Sequence, residues 1–136
     1  PFVVHVNKEI VKMANEFQEK GISFIAISSN DIKNYPADDP KKMSDTVINE
    51  KYTFPYLYDE TQQVAKNYDA ACTPDFYIFD SNKKLIYRGQ LDDSRPGNNI
   101  PLSGSDIRTV FNCVLESKEI TLNQKPSIGC NIKWID

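Results

Sequence analysis

Val6, Ile10, Met13 or Ala14, and Phe17 follow one another at steps of three and four. That spacing lays a single apolar stripe along a helix and predicts one from near Pro1 to about Lys20. Proline suits a first helical turn, where its missing N–H loses no partner, and Gly21 suits the stop. Ile22 to Ile27 is short, mostly apolar and rich in β-branched residues, and it reads as a buried strand. Ser28 to Asp39 is a polar connection, and Asp39-Pro40 has the form of an N-cap followed by a first-turn proline, opening a helix to about Lys51. Phe54-Pro55-Tyr56-Leu57-Tyr58 is extended, and its proline confines it to an edge or a loop. Asp59 with Gln62 has capping-box spacing for a helix through Tyr68. Phe76–Phe79 and Leu85–Arg88 flank the turn residues Asp80–Lys83 and predict an antiparallel hairpin. After an irregular stretch from Leu91 to Ser103, Ser103 with Asp106 predicts a capped helix to about Glu116, with Ile107, Val110, Phe111 and Val114 on one face. The last eighteen residues read as an extended tail.

The resulting order is helix, strand, helix, short extended piece, helix, strand, strand, helix. A crossover helix in a parallel unit returns from a first strand. The order therefore leads us to expect a strand ahead of Pro1.

Composition narrows the function. In 136 residues, 40% are hydrophobic and 26% charged, the balance of an ordinary globular domain. Apolar runs such as Phe24-Ile25-Ala26-Ile27 fall far short of the ~20 residues of a membrane-spanning helix. Sixteen Lys and Arg against nineteen Asp and Glu give a net charge of -3, so neither a nucleic-acid nor a membrane partner is expected. The first residue is Pro rather than Met, so any export signal would precede it; unpaired thiols suit a cytoplasmic setting. Cys72, Cys113 and Cys130 are too few and too scattered for a disulfide scaffold. With His5 the sole histidine and no Cys-x-x-Cys, neither a metal site nor a cofactor is expected. Nor do paired catalytic carboxylates, a glycine-rich phosphate loop or a Ser-His-Asp set emerge.

The segment Ala71-Cys72-Thr73-Pro74-Asp75-Phe76-Tyr77-Ile78-Phe79-Asp80, with its hairpin and last helix, resembles the second half of the thioredoxin fold. Pro1–Glu9 resembles the helix that follows a Cys-x-x-Cys in the peroxiredoxin-like (redoxin, AhpC/TSA-related) branch of that superfamily. The resemblance runs on through Ser29-Asn30-Asp31, Phe54–Thr61, Arg88–Gly97 and Lys125–Trp134, nearly the full chain. It implies an α/β, thioredoxin-like fold: a mixed β-sheet flanked by helices, with its first core strand missing from residues 1–136. The domain would occupy 1–118, and 119–136 would pack on it as an extended tail.

The same resemblance implies redox chemistry. A cysteine at a helix N-terminus meets unpaired N–H groups and the positive end of the helix dipole, which lowers its pKa from about 8.5 toward ~3.5–7.5. By the family pattern, the second cysteine of that pair immediately precedes Pro1. Pro74 would be cis and Thr73 would hold substrate, its backbone left unpaired for an extended chain to join as an added strand. Cys72 would face the missing pair as an auxiliary thiol, or else be a small buried side chain. Cys130 would fold back to a mixed or internal disulfide with Cys72, or stay inert. Cys113 reads as core. His5 either tunes a thiolate or sits on the helix surface. Asp92, Asp93 and Arg95 form either a family clamp or a solvated loop with a local Asp–Arg pair, and Asp38-Asp39 reads as a helix cap.

The function implied is thiol–disulfide exchange or thiol-dependent peroxide reduction. Its partners would be a protein or small-molecule disulfide or peroxide and a thiol donor such as a thioredoxin. The peroxidase version lacks its Pro-x-x-x-Thr-x-x-Cys motif here. The competing reading is a redox-inactive binding or adaptor module on the same fold.

Overall fold

The computed structural model describes residues 1–136. Helix α1 spans Phe2–Phe17 and ends in a 3-10 turn over Gln18–Lys20. Gly21 follows with φ at 91°, left-handed backbone that glycine enters without a Cβ clash. Strand β1 is Ala26–Ser28, helix α2 Pro40–Asn49 and strand β2 Tyr56–Tyr58. Helix α3 is Gln63–Asn67, strands β3 and β4 are Phe76–Phe79 and Leu85–Gly89, and helix α4 is Ser105–Leu115. The architecture is α/β, with small sheets flanked by helices.

The stripe on α1 does what its spacing requires. Val6, Met13 and Phe17 join Tyr87 and Leu91 at the end of β4, and Ile107, Val110 and Phe111 of α4, in one buried cluster. Phe17 and Phe111 stack at 4.9 Å between ring centres, and Phe24 meets Phe111 edge-on at 5.6 Å. Arg108 of α4 clips the two helices together, donating to the buried Glu9 at 2.7 Å and to Glu16 at 2.6 Å.

Several expectations need correction. In place of one mixed sheet there are two pieces: β1 and β2 pair in parallel, β3 and β4 pair antiparallel, and neither piece bonds to the other. The strand expected at Ile22–Ile27 pairs only over Ala26–Ser28, because its partner β2 is itself three residues long. Ile22 and Phe24 pack against the main cluster instead, and Ile25 stays 64% exposed, so this segment is buried on one face only. Val114 also lies outside the buried face of α4.

Two helix caps differ from their sequence signatures, and one matches. Asp39 caps α2 as expected, accepting from the Lys42 N–H at 2.8 Å. At α3, Asp59 reaches past Gln62 to accept from the Ala65 N–H at 3.0 Å and the Ser29 hydroxyl at 2.8 Å. At α4, the acceptor comes from the far end of the loop that leads into the helix, 11 residues before Ser103. The buried Asp92 carboxylate takes the Ser103 and Gly104 N–H groups at 2.8 and 2.6 Å, leaving Asp106 to Gln90.

Residues 119–136 form no helix or strand. They run back over the molecule as a strap. The Lys125 carbonyl accepts from Gln90 N–H at 3.0 Å, Ser127 donates to the Gly89 carbonyl at 2.6 Å, and the Lys133 carbonyl accepts from Asp31 N–H at 2.7 Å. The strap thereby ties the end of β4 to the loop that follows β1. No helix of the chain is long and apolar enough to cross a membrane.

Candidate active site

Three elements converge at the N-terminal end of α1. The first turn of the helix carries no acidic residue. Opposite stands the Thr73–Pro74 turn, whose peptide bond is cis, leading directly into β3. Between them lies a crevice of 20 Å³, room for about one water-sized group, walled by Phe2, His5, Pro74, Phe76, Arg95 and Ile128.

His5 is half-buried rather than a surface residue. Its Nε2 lies 2.8 Å from Ser94 Oγ. The Ser94 hydroxyl donates its single proton to the Ile100 carbonyl at 2.7 Å. Its oxygen is therefore left as acceptor, and His5 carries the Nε2 proton and donates it. The expected Asp–Arg pair in this loop is absent. Arg95 donates to the Asp92 and Ser94 carbonyls at 2.6 and 2.7 Å and to Gln90 Oε1 at 2.6 Å, while its Nε is buried without a partner. Asp93 pairs with Lys125 at 2.9 Å instead. A hydrogen bond from Gln90, reinforced by the lysine, holds its carboxyl below the ordinary range.

The thiols are placed unequally. Cys72, Cys113 and Cys130 are all free and half-buried, so Cys113 is not sealed in the core and no Cys72–Cys130 disulfide is formed. Cys72 Sγ donates weakly to the Pro74 carbonyl at 3.5 Å. Burial, helped by the nearby Asp75 carboxylate, pushes the Cys72 thiol up, the opposite of what activates a nucleophile.

The largest departure concerns Thr73. Its backbone is not left unpaired: Thr73 N–H donates to the Cys130 carbonyl at 2.8 Å, and Cys130 N–H donates to the Thr73 carbonyl at 3.0 Å. The two residues form an isolated antiparallel bridge. Next to it, Gly129 lies so close that an added Cβ would overlap the Thr73 carbonyl. The sequence therefore brought Thr73, Pro74, Cys72 and Cys130 to one place, while the way Cys130 arrives was not foreseen.

Gln62 and Gly129 were missed as well. Gln62, fully buried, donates to the Ser29 and Lys133 carbonyls at 2.7 and 2.8 Å and accepts from Ile135 N–H at 2.9 Å. Its amide, donor and acceptor at once, is the one sequence feature that suits it to tie two segments together.

The start of α1 set against the Thr73–Pro74 turn, on an α/β frame, is consistent with a redoxin, thioredoxin-like class of protein. The AhpC/TSA family pattern matches residues 3–88, and the chain belongs to that family. It is similar to an uncharacterized conserved protein from Geobacillus kaustophilus, at 58% identity and a TM-score of 0.97, over 99% of this chain and 71% of that one. It also resembles a hypothetical protein from Sinorhizobium meliloti, at 44% identity and a TM-score of 0.97, over 99% of this chain and 74% of that one. No curated protein matches it.

Proposed function

We propose that the protein is a thiol–disulfide oxidoreductase whose Cys-x-x-Cys lies immediately upstream of Pro1, at the start of α1 and directly after a strand that fills the place between β1 and β3. The observation carrying this reading is the crevice at the start of α1, where Phe2 and His5 meet Pro74 of the Thr73–Pro74 turn. Both similar solved chains extend beyond the matched region, which leaves length for such a strand.

In this reading the first cysteine, held by the helix N–H groups, attacks one sulfur of a disulfide R–S–S–R. The S–S bond breaks, one RS⁻ leaves, and a mixed disulfide forms. The second cysteine attacks that intermediate, releasing the second RS⁻ and leaving a protein disulfide. Two electrons have passed to substrate, and a dithiol donor such as a thioredoxin returns them. With a hydroperoxide, the thiolate takes one oxygen and releases ROH. The resulting sulfenic acid then condenses with the second thiol, losing water. His5 borders the crevice with its Nε2 proton committed to Ser94, and Cys72, with its raised pKa, has at most an auxiliary part.

The test is turnover by the full-length protein with a thiol donor, on glutathione disulfide and on hydrogen peroxide. Serine in place of either upstream cysteine should abolish it, and Cys72→Ser should lower it by no more than a few-fold. No turnover on either substrate would favour a redox-inactive binding module.

A further inference from the structure

We propose that the protein's own strap fills the strand-docking edge beside Pro74, so that the site takes small-molecule disulfides or hydroperoxides and refuses extended polypeptide. The inference deepens the reading above and rests on it for the chemistry.

A polypeptide substrate that docks by strand addition needs the N–H and carbonyl of the receiving residue. Here that residue is Thr73, and both groups are taken by Cys130, in the antiparallel sense an incoming chain would use. The Thr73 hydroxyl adds a third, longer contact to the same Cys130 carbonyl at 3.4 Å. Gly129 sits against the Thr73 carbonyl with no space for a side chain, so a second chain cannot share the edge.

The strap is anchored on both sides of this contact. Upstream, Lys125 and Ser127 bond to Gln90 and Gly89 at the end of β4. Downstream, Ile132 is buried, Lys133 N–H donates to Asn30 Oδ1 at 2.9 Å, and Gln62 holds Lys133 and Ile135. Displacing residues 129–131 would therefore break the Thr73 pairing against two fixed ends, not peel away a loose terminus.

What stays open is of small-molecule size. The 20 Å³ crevice shares Gln90, Arg95 and Ile128 with a neighbouring hollow of 570 Å³. That hollow is shallow and open to solvent, with Asp93, Arg95, Asn98 and Lys125 around it, so a compact polar disulfide or hydroperoxide can reach the crevice across it.

Two measurements on the full-length protein test this. The first is amide hydrogen exchange at Thr73 and Cys130, with and without reduced, S-carboxymethylated insulin B chain as the extended probe. The native protein should keep both amides slow and show no protection change or measurable binding. Gly129→Val, which drives a side chain into the Thr73 carbonyl, should speed exchange at both and bind the B chain with renewed protection at Thr73. Gly129→Ala serves beside it, and slow exchange at Met13 and Val110 certifies an intact fold.

The second is the ratio of insulin to glutathione-disulfide turnover, which should rise at least tenfold in the strap variants. B-chain binding to the native protein with Thr73 protected and Cys130 released would overturn the inference. So would a freed strap that brings neither peptide binding nor a change in ratio. Absence of turnover on any disulfide would instead sink the dithiol chemistry, and the exchange and binding results would still decide the strap.

Discussion

The two halves of the molecule are held by different forces. Around α1, β4 and α4, the buried cluster is wholly apolar apart from the tyrosine hydroxyl of Tyr87, which donates to the Gln90 carbonyl at 2.5 Å. Around β1, β2 and α3, apolar burial is thin, and Ile25, Ile27 and Leu57 stay exposed. The buried residues that organise this second half include Asp31, Asp59 and Gln62, each wired to main-chain groups. The first half is thus mainly a packing problem, with Asn7, Glu9, Gln90, Asp92 and Ser94 buried around the cluster, and the second mainly a hydrogen-bonding problem. The candidate site sits where they meet, with α1 and β3 on one side and the strap's downstream anchor on the other.

The largest effect should come from the apolar half. Phe111→Ala removes a ring packed on both Phe17 and Phe24 and should cost about 3–5 kcal/mol in denaturant unfolding. A loss under about 1 kcal/mol would mean the cluster is not the main support. Asp92→Ala probes one of the buried polar residues inside that half. It strands three N–H groups, those of Ser94, Ser103 and Gly104, and should cost about 3 kcal/mol, with Asn recovering part of it.

In the polar half, Gln62→Ala should cost about 2 kcal/mol, since the Ser29 carbonyl and the Ile135 N–H lose their partner and the Lys133 carbonyl is left with Asp31 alone. Its signature is local: faster amide exchange at Asp31 and Ile135, with α4 unchanged. Global loosening would contradict the division into halves.

The smallest effect is a pH dependence. Burial pushes the Asp59 carboxyl up, but hydrogen bonds from the Ala65 N–H and the Ser29 hydroxyl together outweigh it and hold it below the usual range. A depressed folded pKa contributes stability above the unfolded value near ~3.9, lost as pH falls through the folded value. Native protein should therefore lose its advantage over Asp59→Asn as urea midpoints are followed from pH 6 down to pH 3. A constant difference would remove Asp59 from the account.

The same division explains what could be read from the sequence. The apolar half announces itself through periodicity: the α1 stripe, the β3–β4 hairpin and the buried face of α4 around Val110 needed only local spacing. The polar half is built from long-range bonds between irregular segments, such as Gln62 to Lys133 and Asp31 to Lys133, and no local pattern encodes those. The capping signature at α4 failed because the main acceptor is Asp92, 11 residues before Ser103 in the loop leading into the helix, and not the adjacent Ser103–Asp106 pair. At the candidate site, Thr73, Pro74 and Cys72 were legible through resemblance. That Cys130 pairs with Thr73 was not, since Gly129 looks like any loop glycine until its contact with the Thr73 carbonyl is seen.

In the proposed mechanism the reactive thiol stands just ahead of α1 and not among the three cysteines of residues 1–136. Alkylation of the reduced full-length protein across pH, mapped by peptide, tests it most directly. The account predicts that the fastest thiol lies just upstream of Pro1 and titrates well below ~8.5, while Cys72, Cys113 and Cys130 react slowly at neutral pH. A fastest thiol at Cys72 or Cys130 would contradict it.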